Sequence, residues 1–554
     1  MIDITKISLS ILPIAAFSSV VGKSYAQSSV NRPNIIYIMS DDHARQAISA
    51  YGSVVSSLAP TPNIDRIAHE GARFDNVFVE NSLSTPSRAC LMTGLYSHQN
   101  GQQQLGEGID STKTFFTELL QKEGYQTAVV GKWHMRCTPK GFDYYHVLND
   151  QGTYYNPQFR GQDTNGQFVR EEGYVTTLIT QHAKEFLDHR DKQKPFMLMV
   201  HHKAPNRSWL PELDKLGFYD NVDFPLPETF YDDYATRGSA VLTQKMRIDR
   251  DMELGQDLKA DSIGFDFRQM ITDWNLMSPE QKSAFAAYYA PRNDSFINGH
   301  LHGDSLVRWK YQNYLRDYLN VILSVDESVG ELYKYLEENA LLDNTVIIYT
   351  SDNGFYLGEH GWFDKRFMYE ESLRIPLIIR YPGQVKAGSV NTSFVQNIDF
   401  APTFLSIAGI KQPAYMTGLP LTKLFGGKTP KNWRTDIYYH YYDYPVVHLV
   451  RKQDGVRNSR YKLIHFYGKG GSKAASENKY QLVPGTNENK WYQSMLKSGY
   501  YTDDPDIDYN ELYDLKNDPQ ELHNLYGKPG YEKITNQLKK RLDTYRKQLN
   551  VKEF

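Results

Sequence analysis

The chain contains several uninterrupted apolar runs, and each stops at a cluster of polar residues. The first, NIIYIMS, is followed directly by Asp41 and Asp42. Similar runs occupy residues 124–134, 194–205 and 344–354, with a shorter one at 376–383. Continuous rather than alternating apolar residues are typical of strands buried on both faces, as in a parallel sheet.

Helical patterns lie between these predicted strands. Residues 112–124 are amphipathic and stop at a glycine, and apolar residues recur about every 3.6 positions through 308–341. Strands that alternate with helices indicate an α/β fold, with a mostly parallel sheet sandwiched by helices. In such folds ligands bind at the carboxyl ends of the strands, which is where the polar clusters fall.

Two regions lack this alternation. Residues 205–305 are rich in Asp, Tyr and Pro and indicate an insertion that covers the sheet edge. After about residue 430, short β-rich segments and a final helix at 530–549 predict a small α+β subdomain. We therefore divide the chain into an export signal, a main α/β domain and a C-terminal subdomain with an antiparallel sheet, at residues 1–26, 27–430 and 431–554.

The first 26 residues are typical of a secretory signal. Lys6 precedes a short apolar run, and Ser24-Tyr25-Ala26 is a small-x-small cleavage site. No cysteine lies near that site, so a lipid anchor is not expected, and no later stretch is apolar enough to span a membrane. We expect a protein that is periplasmic or otherwise exported and that does not bind a membrane.

The charge balance and the cysteine content argue against two other classes of protein, nucleic-acid binders and zinc ribbons. Lys and Arg total 62 against 65 Asp and Glu, and a net charge of −3 argues against a nucleic-acid partner. Two cysteines, Cys90 and Cys137, are too few for a zinc ribbon, and buried apolar positions are the favoured interpretation. The sequence leaves open whether they pair.

Two strand ends carry hard oxygen ligands. Asp41 and Asp42 follow the first strand, and Asp352 and Asn353 follow the strand at 344–354. Either pair on its own is equally well explained as a solvent-exposed turn that binds no metal. Together, three carboxylates and a carboxamide form a donor set suited to Ca²⁺ or Mg²⁺ rather than zinc.

The stretch NSLSTPSRACLMTG, residues 81–94, carries a recognisable motif. Ser84-Thr85-Pro86-Ser87-Arg88, followed by Thr93-Gly94, resembles the signature of the type I sulfatases, which are formylglycine-dependent members of the alkaline-phosphatase-like superfamily. Further blocks match in the family's order, and the resemblance spans about residues 33–530: Asp41-Asp42, Gly131-Lys132-Trp133-His134, Asp352-Asn353-Gly354, Lys365 and Asn397-x-Asp399.

The resemblance implies a modified nucleophile. Ser84 would be oxidised to formylglycine by a maturation enzyme, and the hydrate of that aldehyde would attack sulfur and later expel sulfate. One Ca²⁺ would be bound by Asp41, Asp42, Asp352, Asn353 and the modified residue 84. Arg88 and Lys132 would stabilise the hydrate and its alkoxide, and Lys132 and Lys365, with Ca²⁺, would clamp sulfate oxygens. His134 would be the base for the hydroxyl that expels sulfate. The implied fold is a large mixed, mostly parallel sheet.

One position departs from the family pattern. A histidine usually follows Ala-Pro in the next block, but HHKAPN places Asn206 there. Asn donates hydrogen bonds but is not an acid near neutral pH. The leaving-group acid therefore stays open between His202, His360 and a residue of the C-terminal subdomain.

The C-terminal part suggests the substrate. Residues 443–467 resemble the corresponding block of the glucosamine-6-sulfatases that act on heparan-type glycosaminoglycans. On that resemblance we expect an exo-acting enzyme for the 6-O-sulfate of N-acetylglucosamine or glucosamine. We expect the sulfated saccharide to contact His202, Asn206, His448 and Arg457, with Trp209 in another wall.

Three alternatives remain at this stage. The sulfate could lie at another sugar position, such as a 2-O-sulfated uronate or a galactosamine sulfate. The chain could be a two-zinc phosphatase or phosphodiesterase of the same superfamily, although Asn353 stands where those enzymes have histidine. It could also be an inactive glycan-binding relative, which the complete set of catalytic residue types argues against.

Overall fold

A computed structural model of the chain describes residues 32–106, 108–261, 272–477 and 504–554, together with positions 490, 493, 494 and 497. Residues 33–554 form one compact unit. The predicted export signal lies outside the described residues. Within the described part, no helix combines the length and apolar character that a membrane span requires.

The main sheet has ten strands in the order β13-β2-β12-β9-β1-β8-β4-β5-β6-β7. The five strands from β9 to β5 in this order are mutually parallel, while β12 joins β9 antiparallel. The bounds are β1 Asn34–Ser40, β2 Ala72–Phe74, β4 Gln126–Gly131, β5 Tyr144–Leu148, β6 Gln158–Gly161, β7 Val169–Arg170, β8 Phe196–His202, β9 Thr345–Ser351, β12 Leu377–Arg380 and β13 Ser389–Asn391.

The central strands are buried on both faces, as their continuous apolar runs predict. In β1, Ile35, Tyr37 and Met39 belong to one hydrophobic core, and Ile36 and Ile38 belong to the other. This division follows from the period of two along a strand. The sheet therefore lies between two apolar layers, and the predicted α/β fold is confirmed.

Helices cover both faces. One core takes apolar residues from Ser84–Thr93, Phe116–Lys122 and Phe400–Ile407; the other takes them from Pro62–Glu70, Val175–His189, Pro279–Gly299 and Gly303–Glu338. The remaining α-helices among the described residues are Val54–Leu58, Ser97–Asn100, Ser239–Thr243, Glu370–Leu373, Gly471–Glu477 and Glu532–Gln548. The long helix predicted at 308–341 is Gly303–Glu338, with its periodic leucines buried.

A second sheet forms near the C-terminus. It has four antiparallel strands: β15 Asp436–Tyr441, β16 Gln453–Asn458, β17 Tyr461–Gly468 and β18 Ile507–Asp514. The helix Glu532–Gln548 packs on it through Leu538 and Leu542. The separate antiparallel sheet is as predicted, while the boundary at 430/431 stays a prediction because residues 33–554 form one compact unit.

Short strands escaped the sequence analysis. The strands β2, β5, β6, β7 and β13 have no long apolar run to mark them. Two short pairs complete the described strands: β3 Val77–Phe78 with β14 Val395–Gln396, and β10 Tyr356–Leu357 with β11 Phe363–Asp364. In the predicted insertion at 205–305, residues 205–261 are mostly irregular apart from the short helix Ser239–Thr243, and Pro279–Gly299 is helical.

Candidate active site

The polar clusters predicted from the sequence meet at one edge of the main sheet. Strands β9, β1, β8 and β4 are parallel neighbours, so their carboxyl ends point the same way. Asp352, Asp41 and Lys132 directly follow three of these strands. The chain turns sharply after β1, where Asp42 has φ +66°, and this turn lets adjacent aspartates face one site.

Three buried carboxylates lie together here. Asp41, Asp42 and Asp352 each offer an oxygen, and these oxygens lie within 4.8 Å of one another. The carboxamide of Asn353 donates to Asp42, which leaves its Oδ1 buried without a hydrogen-bond partner. Convergent carboxylates with an unpartnered amide oxygen are the donor chemistry of a hard cation, so the residues fit a calcium-type ion.

Ser84 sits at the first position of the helix Ser84–Thr93, and its Oγ donates to Asp41 Oδ1 at 3.3 Å. Pro86 falls in the first turn, where a missing N–H costs nothing. The helix ends at Gly94, whose φ of +67° suits glycine. The positive end of the helix thus lies beside the carboxylates and beside any anion bound there.

Arg88 fixes the carboxylates from within the same helix. Its guanidinium donates to Asp41 Oδ2 at 2.9 Å and to Asp352 Oδ2 at 3.0 Å, and its third contact is the carbonyl of Lys132 at 2.7 Å. The side chain is fully buried. A planar guanidinium that bridges two carboxylates holds both in a defined orientation.

Two lysines pair with the carboxylates of this cluster. Lys132 forms an ion pair with Asp41, and Lys365 donates to both oxygens of Asp42 at 2.6 and 2.7 Å. Burial alone raises the pKa of Asp41, but Lys132 and Arg88 hold it well below its usual range. Burial and the neighbouring Asp41 raise the pKa of Asp352 to about 7.

His134 lies beside the nucleophile position. Its Nδ1 is 3.2 Å from the hydroxyl of Thr85, and its Nε2 is 3.3 Å from a carboxylate oxygen of Asp150. Burial lowers the pKa of His134, although Asp150 opposes the effect. The imidazole is therefore neutral near neutral pH and able to accept a proton.

A cleft of about 1060 Å³ opens above these residues. Ser84, His134 and Lys365 line its floor, and Asn206, Lys203 and His448 line it as well. Arginines are frequent in the lining: Arg136, Arg160, Arg170, Arg207 and Arg366. A cavity of this size with a cationic wall suits an anionic ligand as large as a sugar.

Comparison with known families decides the assignment. A family model described as "Sulfatase" matches residues 33–410, and one described as "N-sulphoglucosamine sulphohydrolase, C-terminal" matches residues 358–483 and 487–548. The chain belongs to the sulfatase family. The resemblance drawn from the sequence motif is therefore confirmed.

Relatives of this sulfatase include glycan enzymes. It is 43% identical to an N-acetylglucosamine-6-O-sulfatase of Bacteroides thetaiotaomicron, over 97% of this chain and 90% of the relative. An N-acetylgalactosamine-6-O-sulfatase of the same bacterium is 30% identical over 71% of this chain and 75% of its own. The human N-acetylglucosamine-6-sulfatase is 25% identical over 75% and 68% of the two chains. This protein is a sulfuric ester hydrolase that acts on glycans.

Solved structures agree. A structure of a protein in complex with its substrate D-glucosamine-2-N,6-O-disulfate matches with a TM-score of 0.84 at 43% identity, covering 94% of the sulfatase and 99% of that chain. A 2-O glycosaminoglycan sulfatase matches with a TM-score of 0.63 at 20% identity, covering 94% and 93%. At that identity the likeness shows the fold alone.

Two predicted substrate contacts need correction. His202 is completely buried, and its Nε2 lies 3.2 Å from Ser328 of the long helix, so it packs behind the sheet. Arg457 pairs with Glu370 at 3.0 Å and stacks over Phe78, and it does not line the cleft. Both are structural in the sulfatase.

Two further residues also lie outside the cleft. Trp209 is fully buried against Tyr314 and Phe355, so it does not form a wall for sugar. His360 is buried with its Nδ1 2.8 Å from Asp232, which removes it as a leaving-group acid. Cys90 and Cys137 are both free, so the question of pairing is settled.

The sequence analysis missed several cleft residues. Gln151 accepts from Lys132 at 2.5 Å through its side chain and from Lys203 at 3.3 Å through its carbonyl. Asp150 flanks His134, and Asp364 lies 3.1 Å from His448. Asp150 and Gln151 follow β5, so the sequence would have indicated them as site residues if that short strand had been recognised.

Proposed function

We propose that this sulfatase removes the 6-O-sulfate of N-acetylglucosamine or glucosamine from the end of a heparan-type chain. The observation that carries the proposal is the contact between Ser84 and Asp41 inside a carboxylate cluster flanked by Lys132 and Lys365. The relative from Bacteroides thetaiotaomicron, an N-acetylglucosamine-6-O-sulfatase, supports the substrate.

Calcium and a modified serine belong to the proposal. Asp41, Asp42, Asp352 and Asn353, with residue 84, would hold one Ca²⁺, which would lower the pKa of the nucleophilic hydroxyl and polarise a sulfate oxygen. Oxidation of Ser84 to formylglycine would supply an aldehyde hydrate as nucleophile. Thr85-Pro86-Ser87-Arg88 after Ser84 supports that site, and a dedicated maturation enzyme is then required.

The cationic side chains bind and orient sulfate. Lys132 and Lys365 approach the carboxylate cluster from two sides and would contact sulfate oxygens as negative charge shifts during S–O cleavage. Arg88 holds Asp41 and Asp352 in a fixed orientation, so the charged groups already have their positions before sulfate binds. We expect most of the rate enhancement to come from these fixed positive charges, which would stabilise the negative charge that develops during S–O cleavage.

His134 would move a proton at the nucleophile. Asp150 lies 3.3 Å from Nε2 and would favour a proton there, while Nδ1 lies 3.2 Å from the hydroxyl of Thr85, the neighbour of residue 84. Nδ1 is therefore the basic atom that would accept a proton from a hydroxyl at position 84.

Lys203 is the best-placed acid for the leaving sugar oxygen. It lines the cleft, and it contacts the same Gln151 as Lys132, which places both ammonium groups around one residue. Burial and the charge of Lys132 lower the pKa of Lys203 to about 8. An ammonium with that pKa is protonated at neutral pH and still able to release its proton.

His448 and Asp364 would recognise the sugar. His448 lines the cleft, with Nδ1 2.6 Å from the carbonyl of Lys245 and Nε2 3.1 Å from Asp364. Its φ of +72° is uncommon for a non-glycine residue, and such strain is often held at functional positions. A 6-O-sulfate sits on a flexible arm, so it can reach the floor while the ring stays near His448.

The cellular setting is also proposed. The signal-like residues 1–26 support export to the periplasm, where terminal sulfates would be removed during glycan breakdown.

A panel of sulfated monosaccharides tests the substrate. We expect sulfate release from N-acetylglucosamine-6-sulfate to exceed release from 4-O-sulfated galactosamine and 2-O-sulfated uronate. A preference for either of those would refute the specificity. Mass spectrometry of the peptide 81–94 from the native host tests the nucleophile, since oxidation of an alcohol to an aldehyde removes about 2 Da.

A further inference from the structure

A second group of potential metal ligands lies apart from the active site. Of the residues that the structure describes, two groups of three ligand side chains have atoms within 4.8 Å of one another: the aspartates above, and His146, Glu171 and His182. The second group joins three elements, since His146 lies on β5, Glu171 follows β7, and His182 lies on the helix Val175–His189.

The two imidazoles converge on one carboxylate. Nε2 of His146 lies 2.6 Å from Oε1 of Glu171, and Nε2 of His182 lies 2.6 Å from Oε2. The ring centroids are 3.8 Å apart.

Each histidine also has a carboxylate behind it. Nδ1 of His182 lies 2.9 Å from Glu185, and Nδ1 of His146 lies 3.5 Å from Asp163. Gly161 permits this approach, because a Cβ there would come within 3.0 Å of His146 Nδ1 and 2.5 Å of an Asp163 oxygen. Metal-binding histidines characteristically place their second nitrogen against such a carboxylate.

We propose that His146, Glu171 and His182 form a binding site for a zinc-type divalent cation. Two imidazoles and one carboxylate are a common three-ligand zinc set, with solvent in the fourth position. Tetrahedral ligands about 2.0–2.1 Å from zinc lie about 3.3 Å apart, so each imidazole nitrogen needs to move less than an ångström from the Glu171 oxygen that it contacts at 2.6 Å. Glu171 and His182 are only partly buried, which gives the ion an entry path.

The site would brace a wall of the cleft. Arg160 and Phe168 lie on and beside the strands β6 and β7, and they line the cleft together with Arg170, which directly precedes Glu171. These strands are at the sheet edge, paired only through β5 and each other among the described strands. A metal that joins β5, Glu171 and the helix would fix that edge.

Zinc binding to the full-length protein tests the proposal. The protein is stripped with chelator, saturated with Ca²⁺ to fill the aspartate cluster, and dialysed against Zn²⁺ for measurement of bound metal. We expect about one Zn²⁺ per chain and a zinc-dependent rise in Tm. His182→Gln and Glu171→Gln should each weaken zinc binding at least tenfold.

His189→Gln is the matched control, because His189 lies exposed on the same helix and outside the cluster. It should bind zinc as the unmodified protein does. Glu171 is the most exposed of the three ligands, and the calcium-loaded Tm of each variant shows whether that variant has folded. Equal zinc binding by the unmodified protein and the His182→Gln variant, or no binding by either, would overturn the proposal.

Discussion

Asn206 donates a hydrogen bond from its amide nitrogen to Oδ2 of Asp42 at 2.7 Å. The residue that departs from the family pattern thus contacts a proposed metal ligand. Asn353 and Lys365 bind the other side of the same carboxylate. Three side-chain donors hold Asp42, and we expect Asn206 to act by positioning that carboxylate rather than by transferring a proton.

Asn206→Asp should reduce activity more than Asn206→Ala. Both variants lose the amide donor, but aspartate also places a like charge beside Asp42. We expect kcat/KM to fall roughly tenfold for the alanine variant and at least tenfold further for aspartate. Steady-state sulfate release at saturating Ca²⁺ measures this, and equal activity of the two variants would contradict it.

Chelation should abolish activity and lower Tm, and Ca²⁺ should restore both. An ion that binds only the folded state stabilises it by about 2.7 kcal/mol at a hundred times its Kd. Asp352→Asn removes one carboxylate of the cluster and should largely remove the calcium-dependent rise in Tm. Thermal unfolding with Ca²⁺, and separately with Zn²⁺, is the measurement. Recovery of activity by Zn²⁺ alone would favour phosphatase-type chemistry.

Lys203→Met should impair sugar sulfates far more than an aryl sulfate. A sugar oxygen needs a proton to leave, whereas a nitrophenolate does not, and general-acid catalysis contributes about 10²–10⁴-fold. We expect kcat/KM to fall at least 10²-fold on N-acetylglucosamine-6-sulfate and less than about tenfold on 4-nitrophenyl sulfate. Lys203→Arg keeps the charge but not an acid of suitable pKa, so full recovery in that variant would mean a purely electrostatic role.

His448→Ala and Arg457→Ala should separate recognition from stability. His448 lines the cleft, so its loss should raise KM for the sugar, and Tm should also fall because its contacts with Lys245 and Asp364 are lost. Arg457 pairs with Glu370, which Lys462 also contacts, so removing Arg457 should destabilise the fold by roughly 1.5–3 kcal/mol without a specific effect on KM. Urea unfolding and Michaelis kinetics on both variants make the comparison.

His202 should make the fold acid-sensitive. Burial lowers its pKa to about 3, whereas an unfolded histidine has a pKa of about 6.5. Between these values the unfolded state binds more protons, so the free energy of unfolding falls as pH drops from 6.5 toward 3, by at most about 1.4 kcal/mol per unit. His202→Gln should lose less stability between pH 7 and 5 than the unmodified protein. The exposed His189→Gln variant should behave as the unmodified protein.

The long apolar strands and the residues that follow them were predictable. Parallel strands bring their carboxyl ends together, so Asp41, Lys132 and Asp352 were expected at one site and are found there. His202 was misplaced because adjacent strand residues point to opposite faces. The sequence shows that His201 and His202 diverge but not which one faces the site.

The remaining errors have other physical causes. Arg457 carries the same charge whether it binds a sugar or Glu370, and only the tertiary fold brings Glu370 to it. Asp150 and Gln151 follow a five-residue strand at the edge of the parallel region, where the apolar pattern is too short to read. The cluster of His146, Glu171 and His182 has no characteristic spacing, since folding alone brings its members together.

The place of β1 in the sheet has a consequence for biosynthesis. One edge of β1 pairs with β8, but the other pairs with β9, which ends at Ser351. Until the ribosome has passed that residue, an apolar strand keeps a row of unpaired backbone groups, and such edges template aggregation. The nascent chain therefore needs protection through most of its translation, and the acidic cluster cannot assemble before Asp352 has been made.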